Sequence, residues 1–150
     1  MSSPQLTAAR AFLQSFKTLD GAFNLSLRTP ECSHTMGPAS LNFPSSMTNA
    51  EWAAHLESLK DVLSEFPVTA TEIFESGNQI VIHAMSEAIF REEVKDEGAK
   101  WEYRGEYVFV LFFEEGGKIE RIFEFLDSKL VEEVRVLLGR AKKNLAARGG

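Results

Sequence analysis

Two long apolar stretches, Gln79–Val94 and Trp101–Glu115, constrain the fold of this chain more than any other feature. Each runs for roughly 15 residues with strand-like alternation, whereas a typical strand has about 5–6. The turn Asp96-Glu97-Gly98 lies between them. Long strands joined by a short Gly-containing turn form an antiparallel hairpin, and at this length they twist and curl instead of lying flat. The second stretch is too hydrophobic for a surface strand, yet Arg104 and Glu106 stand inside it. A charge in a largely buried sheet costs free energy unless it is paired, hydrogen-bonded or kept in a wet cavity. A curled sheet carrying such positions is expected to enclose a pocket.

The flanking pattern supplies the other elements. Ser3-Pro4 reads as a cap with proline in the first turn, followed by Leu6, Ala9, Leu13 and Phe16 at helical spacing. A short second helix is expected over Ala22–Leu27, capped by Asp20. Residues Arg28–Ser46 hold three prolines and many small polar side chains, and read as a long loop. Thr48-x-x-Glu51 is a capping box that opens a helix to about Glu65, with Trp52, Leu56, Leu59 and Leu63 on one face. Strands are then predicted over Val68–Glu75, Gln79–Val94, Trp101–Glu115 and Lys118–Leu126, with a last helix after Asp127-Ser128. The expected class is α+β: one domain over residues 1–150, with a cone-shaped, curled antiparallel sheet, N-terminal helices in its mouth and a C-terminal helix. Gly105, in the middle of the third strand, is expected to supply a bulge or bend.

Composition narrows the function classes. The 150 residues are 44% hydrophobic and 25% charged, ordinary for a globular protein, and the net charge is −6. No basic stripe is available for phosphates, so neither nucleic acid nor an anionic membrane is expected as a partner. Twelve phenylalanines suggest an aromatic-lined interior or interface. The single Cys32 excludes an intrachain disulfide, and no stretch approaches a membrane span, so the expected location is the cytoplasm. Cys32-x-His34 is not a zinc spacing, and no metal is expected.

Several polar residues are candidates for chemistry. Counting in twos places Arg121, Phe123, Phe125 and Asp127 on one face of the last strand and Glu124 on the other. Only one of the two carboxylates should see the pocket. Asp127 is the leading general acid or base, because desolvation at the end of an aromatic row raises a carboxyl pKa. Its alternative role is to cap the last helix. Glu106 and Arg104 are an acid–base pair if their face lines the cavity, and a surface pair if it does not. His34, in the predicted loop, is a candidate proton shuttle. His83 is either a buried histidine or a second shuttle, and His55 is read as solvated. Arg28 either holds an enolate oxygen or pins the loop to Asp20 or Glu31. Trp52, Phe43, Met36, Phe74 and Phe109 are candidate walls for a small hydrophobic or aromatic substrate. Tyr107 and Tyr103 are the hydroxyl suppliers on the third strand.

The order of elements, the segment Arg28-Thr29-Pro30-Glu31-Cys32-Ser33-His34 with Pro38, and the closing Ile119-x-Arg121-Ile122-x-Glu124-Phe125-x-Asp127 resemble the SnoaL-like family of the nuclear-transport-factor-2-like superfamily. The loop resembles that of its small fungal members. The resemblance implies a cone-shaped barrel, often a homodimer through the open face of the sheet, and points to Asp127 through the catalytic Asp that such cyclases carry on a late strand. It implies a cofactor-free isomerase, cyclase or dehydratase acting on a polyketide- or meroterpenoid-like secondary metabolite. The alternative is a non-catalytic ligand-binding or dimerisation module of the same fold. Where ketosteroid isomerase has a Tyr on its first helix, this chain has Phe12 and Phe16.

Overall fold

The computed structural model describes residues 2–149 and has four helices and six strands in the order α1 (Pro4–Ser15), α2 (Gly21–Ser26), β1 (Arg28–Gly37), α3 (Asn49–Lys60), β2 (Leu63–Glu65), β3 (Val68–Ser76), β4 (Gln79–Phe90), β5 (Tyr103–Phe113), β6 (Ile119–Leu126) and α4 (Ser128–Gly149). The strands form one sheet in the order β1-β6-β5-β4-β2, with β3 also paired to β4. The expected hairpins β3–β4, β4–β5 and β5–β6 are all antiparallel. The caps act as their residue types predict. Ser3 accepts from the Leu6 N–H and Asp20 from the Phe23 N–H, and Thr48 and Glu51 close a reciprocal capping box.

Three expectations are corrected. The Pro-rich segment is not loop throughout: Arg28–Gly37 is strand β1, which pairs parallel to β6 and makes the sheet mixed. Local composition could not reveal a partner some 90 residues away. The third helix ends at Lys60, and Leu63–Glu65 becomes a short edge strand against β4. Gly105 makes no bulge, since the β4–β5 register runs unbroken through Ser86↔Gly105.

The sheet has one buried and one open face. Ile80, Ile82, Ala84, Ser86 and Phe90 of β4 point inward, as do Tyr103, Tyr107, Phe109 and Leu111 of β5 and Ile122, Glu124 and Leu126 of β6. Phe12 of α1 and Phe16, which caps its end, meet Phe109 with ring centroids 5.5 and 5.9 Å apart, and Phe16 meets Trp52 of α3 edge-on at 6.1 Å. Each such buried aromatic contributes about 2–3 kcal/mol of burial, so this cluster holds the N-terminal helices in the mouth of the cone. α4 crosses the remaining opening with Val131, Val134 and Leu138 turned inward. The other sheet face stays open, with Phe74, Met85, Val108 and Phe125 exposed. Among the described residues no helix is long and apolar enough to cross a membrane.

Candidate active site

Between the sheet and the helices lies a cavity of about 210 Å³ with aromatic and aliphatic walls. Met36, Phe43, Trp52, Phe109 and Tyr107 line it, together with the polar residues Glu124, His55, Arg135 and Tyr103. Glu124 is only 5% exposed and is the one carboxylate among these lining residues.

Glu124 stands at the end of a chain of buried polar groups. The Ser15 hydroxyl donates to the Phe12 carbonyl and accepts from the Asn24 side-chain amide at 2.8 Å. The Asn24 carbonyl oxygen accepts from Arg28 Nε at 2.8 Å. Arg28 Nη2 lies 3.1 Å from His34 Nδ1, and His34 Nε2 lies 2.9 Å from Glu124 Oε1. A guanidinium has no acceptor, so it must donate to His34 Nδ1. The imidazole is therefore neutral, with its proton on Nε2, and donates to Glu124. Trp52 holds the ring flat by stacking at 3.9 Å, and the Arg28 guanidinium lies 5.3 Å from the same indole.

The electrostatics agree with this assignment. Burial, and then the neighbouring Arg28 charge, hold His34 well below the ordinary histidine range. Burial lowers Arg28 to about 10, which leaves it cationic at neutral pH. Glu124 is raised to about 7 by burial, against smaller opposing pulls from His55 and Arg28. A carboxyl that titrates near neutrality at the wall of an apolar cavity suits proton transfer. Oε1 is engaged by His34, and no hydrogen bond among the described residues engages Oε2, which is left free to act.

The predicted site residues fall on two sides of the sheet. Asp127 is exposed at the start of α4, where its Oδ1 accepts from the Leu130 N–H at 3.1 Å. It is a helix cap outside the cavity, and the inward carboxylate of β6 is Glu124. Glu106 and His83 pair at 2.6 Å on the open face, both partly exposed, and Arg104 is exposed on that face too. Phe74 lies there as well and is not a cavity wall. His34 belongs to β1, is fully buried and does not line the cavity; its link to the cavity is its hydrogen bond to Glu124. Arg28 bonds Asn24 and His34, and neither of its expected partners, Asp20 and Glu31, takes part.

His55 is the residue that sequence reasoning missed. It is half-buried and lines the cavity, and burial lowers its pKa. The signal was present: it lies three residues after Trp52 and one before Leu56, on the apolar face of α3.

No protein-family model matches the chain. Austinoid biosynthesis cluster protein H of Aspergillus calidoustus is 28% identical to it over 129 residues, covering 82% of each chain. The structure of AusH from Aspergillus nidulans is similar with a TM-score of 0.73 and 27% identity, over 85% of this chain and 86% of that one. BvnE pinacolase from Penicillium brevicompactum superposes with a TM-score of 0.74 over 98% and 97% of the two chains, at 22% identity, a likeness of fold. A SnoaL-like protein from Shewanella denitrificans shares the fold with a TM-score of 0.71 over 88% and 96% of the two chains, at 12% identity. The fold and these likenesses agree with the expectation raised by the β1 and β6 segments: the chain has the fold of the SnoaL-like proteins and resembles small fungal biosynthesis-cluster proteins.

Proposed function

We propose that this protein is an acid–base enzyme of secondary metabolism that works without a cofactor on a small hydrophobic oxygenated molecule, with Glu124 as the proton-transfer group. One observation carries the reading. A buried carboxyl raised to about 7, oriented by a neutral His34, forms part of the wall of an apolar cavity. The similarity to a biosynthesis-cluster protein, and the fold shared with a pinacolase, support the class of reaction. In the proposed step Glu124 Oε2 removes a proton from carbon next to a carbonyl, and the electron pair moves onto the carbonyl oxygen as an enolate. The enolate then regains the proton at the far carbon of a conjugated system, attacks a second carbonyl whose new alkoxide takes the proton from Glu124, or expels a β-hydroxyl as water with that same proton. These outcomes are isomerisation, cyclisation and dehydration. His34 and Arg28 position the carboxyl from outside the cavity, and Trp52 stacks on His34 while forming part of the lining.

The test is hydrogen–deuterium exchange at the α-carbon of 2-tetralone in deuterated buffer, followed by NMR. The wild type should exceed buffer and rise with pH through about 7. Glu124→Gln should lose at least about a hundredfold, the lower range for general-base catalysis. Buffer-level exchange by the wild type, or full activity in Glu124→Gln, would overturn the reading.

We also infer a homodimer through the open sheet face. Val108 and Phe125 are cross-strand partners there, and Met85 lies one strand further on, opposite Glu106. With Phe74 they form an exposed apolar surface around the His83–Glu106 pair.

A further inference from the structure

The cavity has a second polar feature that the acid–base chain does not use. Tyr103, Tyr107 and Ser86 are each 5% exposed. The two tyrosines are four residues apart on β5, yet their rings lean toward each other over Gly105, which brings the hydroxyls to 3.4 Å. The Tyr107 hydroxyl is also 2.8 Å from Ser86 Oγ on β4, the strand partner of Gly105. A Cβ at residue 105 would fall within 2.7 Å of all three oxygens. The glycine is therefore required by the three hydroxyls gathered above it.

A count of protons shows what the cluster lacks. Three hydroxyls carry three donor protons, and two hydrogen bonds join them. Among the described residues no other acceptor meets any of the three. One donor is left over in a buried site, a state that costs free energy until an acceptor arrives. Ser86 does not reach the cavity, whereas Tyr103 and Tyr107 line it. Tyr107 bridges its two neighbours. Tyr103 has a single long contact and stands at the cavity end of the chain. Either oxygen can donate in each contact; the order Ser86 to Tyr107 to Tyr103 is the one that leaves the spare proton on Tyr103, at the cavity, for an entering acceptor. Aligned hydroxyls polarise one another, so the terminal donor is the strongest. Burial raises the pKa of both tyrosines, which keeps them protonated as donors.

The position of this pole limits the substrate. Glu124 pairs with Phe109, and Gly105 lies four residues further along β5, about 13 Å at the usual strand rise. The hydroxyl pole is thus set off along β5 from the residue that faces Glu124. We propose that Tyr103, backed by Tyr107 and Ser86, is a remote oxygen-binding subsite: the substrate is an elongated apolar molecule of fused or linked rings, with a hydroxyl or ketone oxygen at the end away from the reacting carbon. The proposal rests on the cavity being the substrate site, as inferred above, but not on Glu124 being the base.

Calorimetric binding of 2-tetralone and 6-hydroxy-2-tetralone tests it, since the two differ only by a remote oxygen. The wild type should bind the hydroxylated probe about three- to tenfold more tightly, the range of one buried neutral hydrogen bond. Tyr103→Phe should bring that ratio close to one. Ser86→Ala, acting through the relay, should reduce it by less. Glu124→Gln should keep the ratio while losing deuterium exchange, so that failure of the base and failure of the subsite read out separately. Circular dichroism confirms that each variant is folded. A wild-type ratio near one, or an unchanged ratio in Tyr103→Phe, would overturn the subsite.

Discussion

At the scale of single residues, the behaviour of Glu124 follows from two opposing pulls. Removal from water penalises its charged form, and the neighbouring His55 and Arg28 favour it; burial is the larger effect, and the carboxyl is raised to about 7. This has a consequence for stability. Between its ordinary value of 4.5 and about 7, the native protein keeps a proton that the unfolded chain has released. Stability therefore falls as pH rises through that window, by roughly 3 kcal/mol, and is level above it. His34 acts with the opposite sign: its folded value is depressed, so the unfolded chain is the first to take up a proton as pH drops through 6.5. Glu124→Gln removes only the first contribution. Denaturant titrations at several pH values should show wild-type stability, relative to this variant, declining from about pH 4.5 to 7. A level difference would show that Glu124 titrates as an ordinary surface carboxylate. That Glu124 and not Asp127 faces inward was partly legible in the sequence. Glu124 alternates with Ile122 and Leu126, whereas Asp127 shares its face with Arg121. The aromatic pair Phe123 and Phe125 obscured this, because an apolar face can be buried in a core or left open for a partner.

At the scale of elements, the helix caps and hairpins follow local rules, and they can be tested locally. Asp127 follows β6 and caps α4, so Asp127→Ala should cost about 1 kcal/mol in thermal or denaturant unfolding. Tetralone exchange per folded molecule should be unchanged, since the side chain is outside the cavity. Abolished exchange at unchanged stability would return the residue to the active site. β1 illustrates the limit of local reading. Its proline, Pro30, and its small polar residues argue for loop, yet its parallel pairing with β6 carries His34 into the wall of the cone. A parallel pair is made by distant segments, and its stabilisation comes from tertiary contacts that neither segment encodes alone. The relay from Asn24 through Arg28 and His34 to Glu124 was illegible for the same reason, because it joins α2, β1 and β6.

At the scale of the whole molecule, the two faces of one sheet have been given different tasks. The inner face carries the cavity, the carboxyl and the hydroxyl cluster. The outer face carries Phe125, 46% exposed, beside Val108 and Met85. If that face is a dimer interface, Phe125→Glu should shift the protein toward monomer in sedimentation measurements at micromolar concentration. A wild type that is monomeric at all concentrations would remove the inference and leave the cavity untouched. The sequence alone determined the α+β class, the three antiparallel hairpins, most caps and the presence of a polar–apolar pocket, because these rest on periodicity, turn chemistry and composition, which are local. Of the five walls it suggested, Met36, Phe43, Trp52 and Phe109 line the cavity and Phe74 does not. Only the tertiary structure decided which side of β4, β5 and β6 is inside, and with it the fates of Glu106, His83 and Arg104. A strand's alternation specifies two faces but not which is buried; that choice is made by where the helices pack, and here α1, α3 and α4 cover the face that holds Glu124.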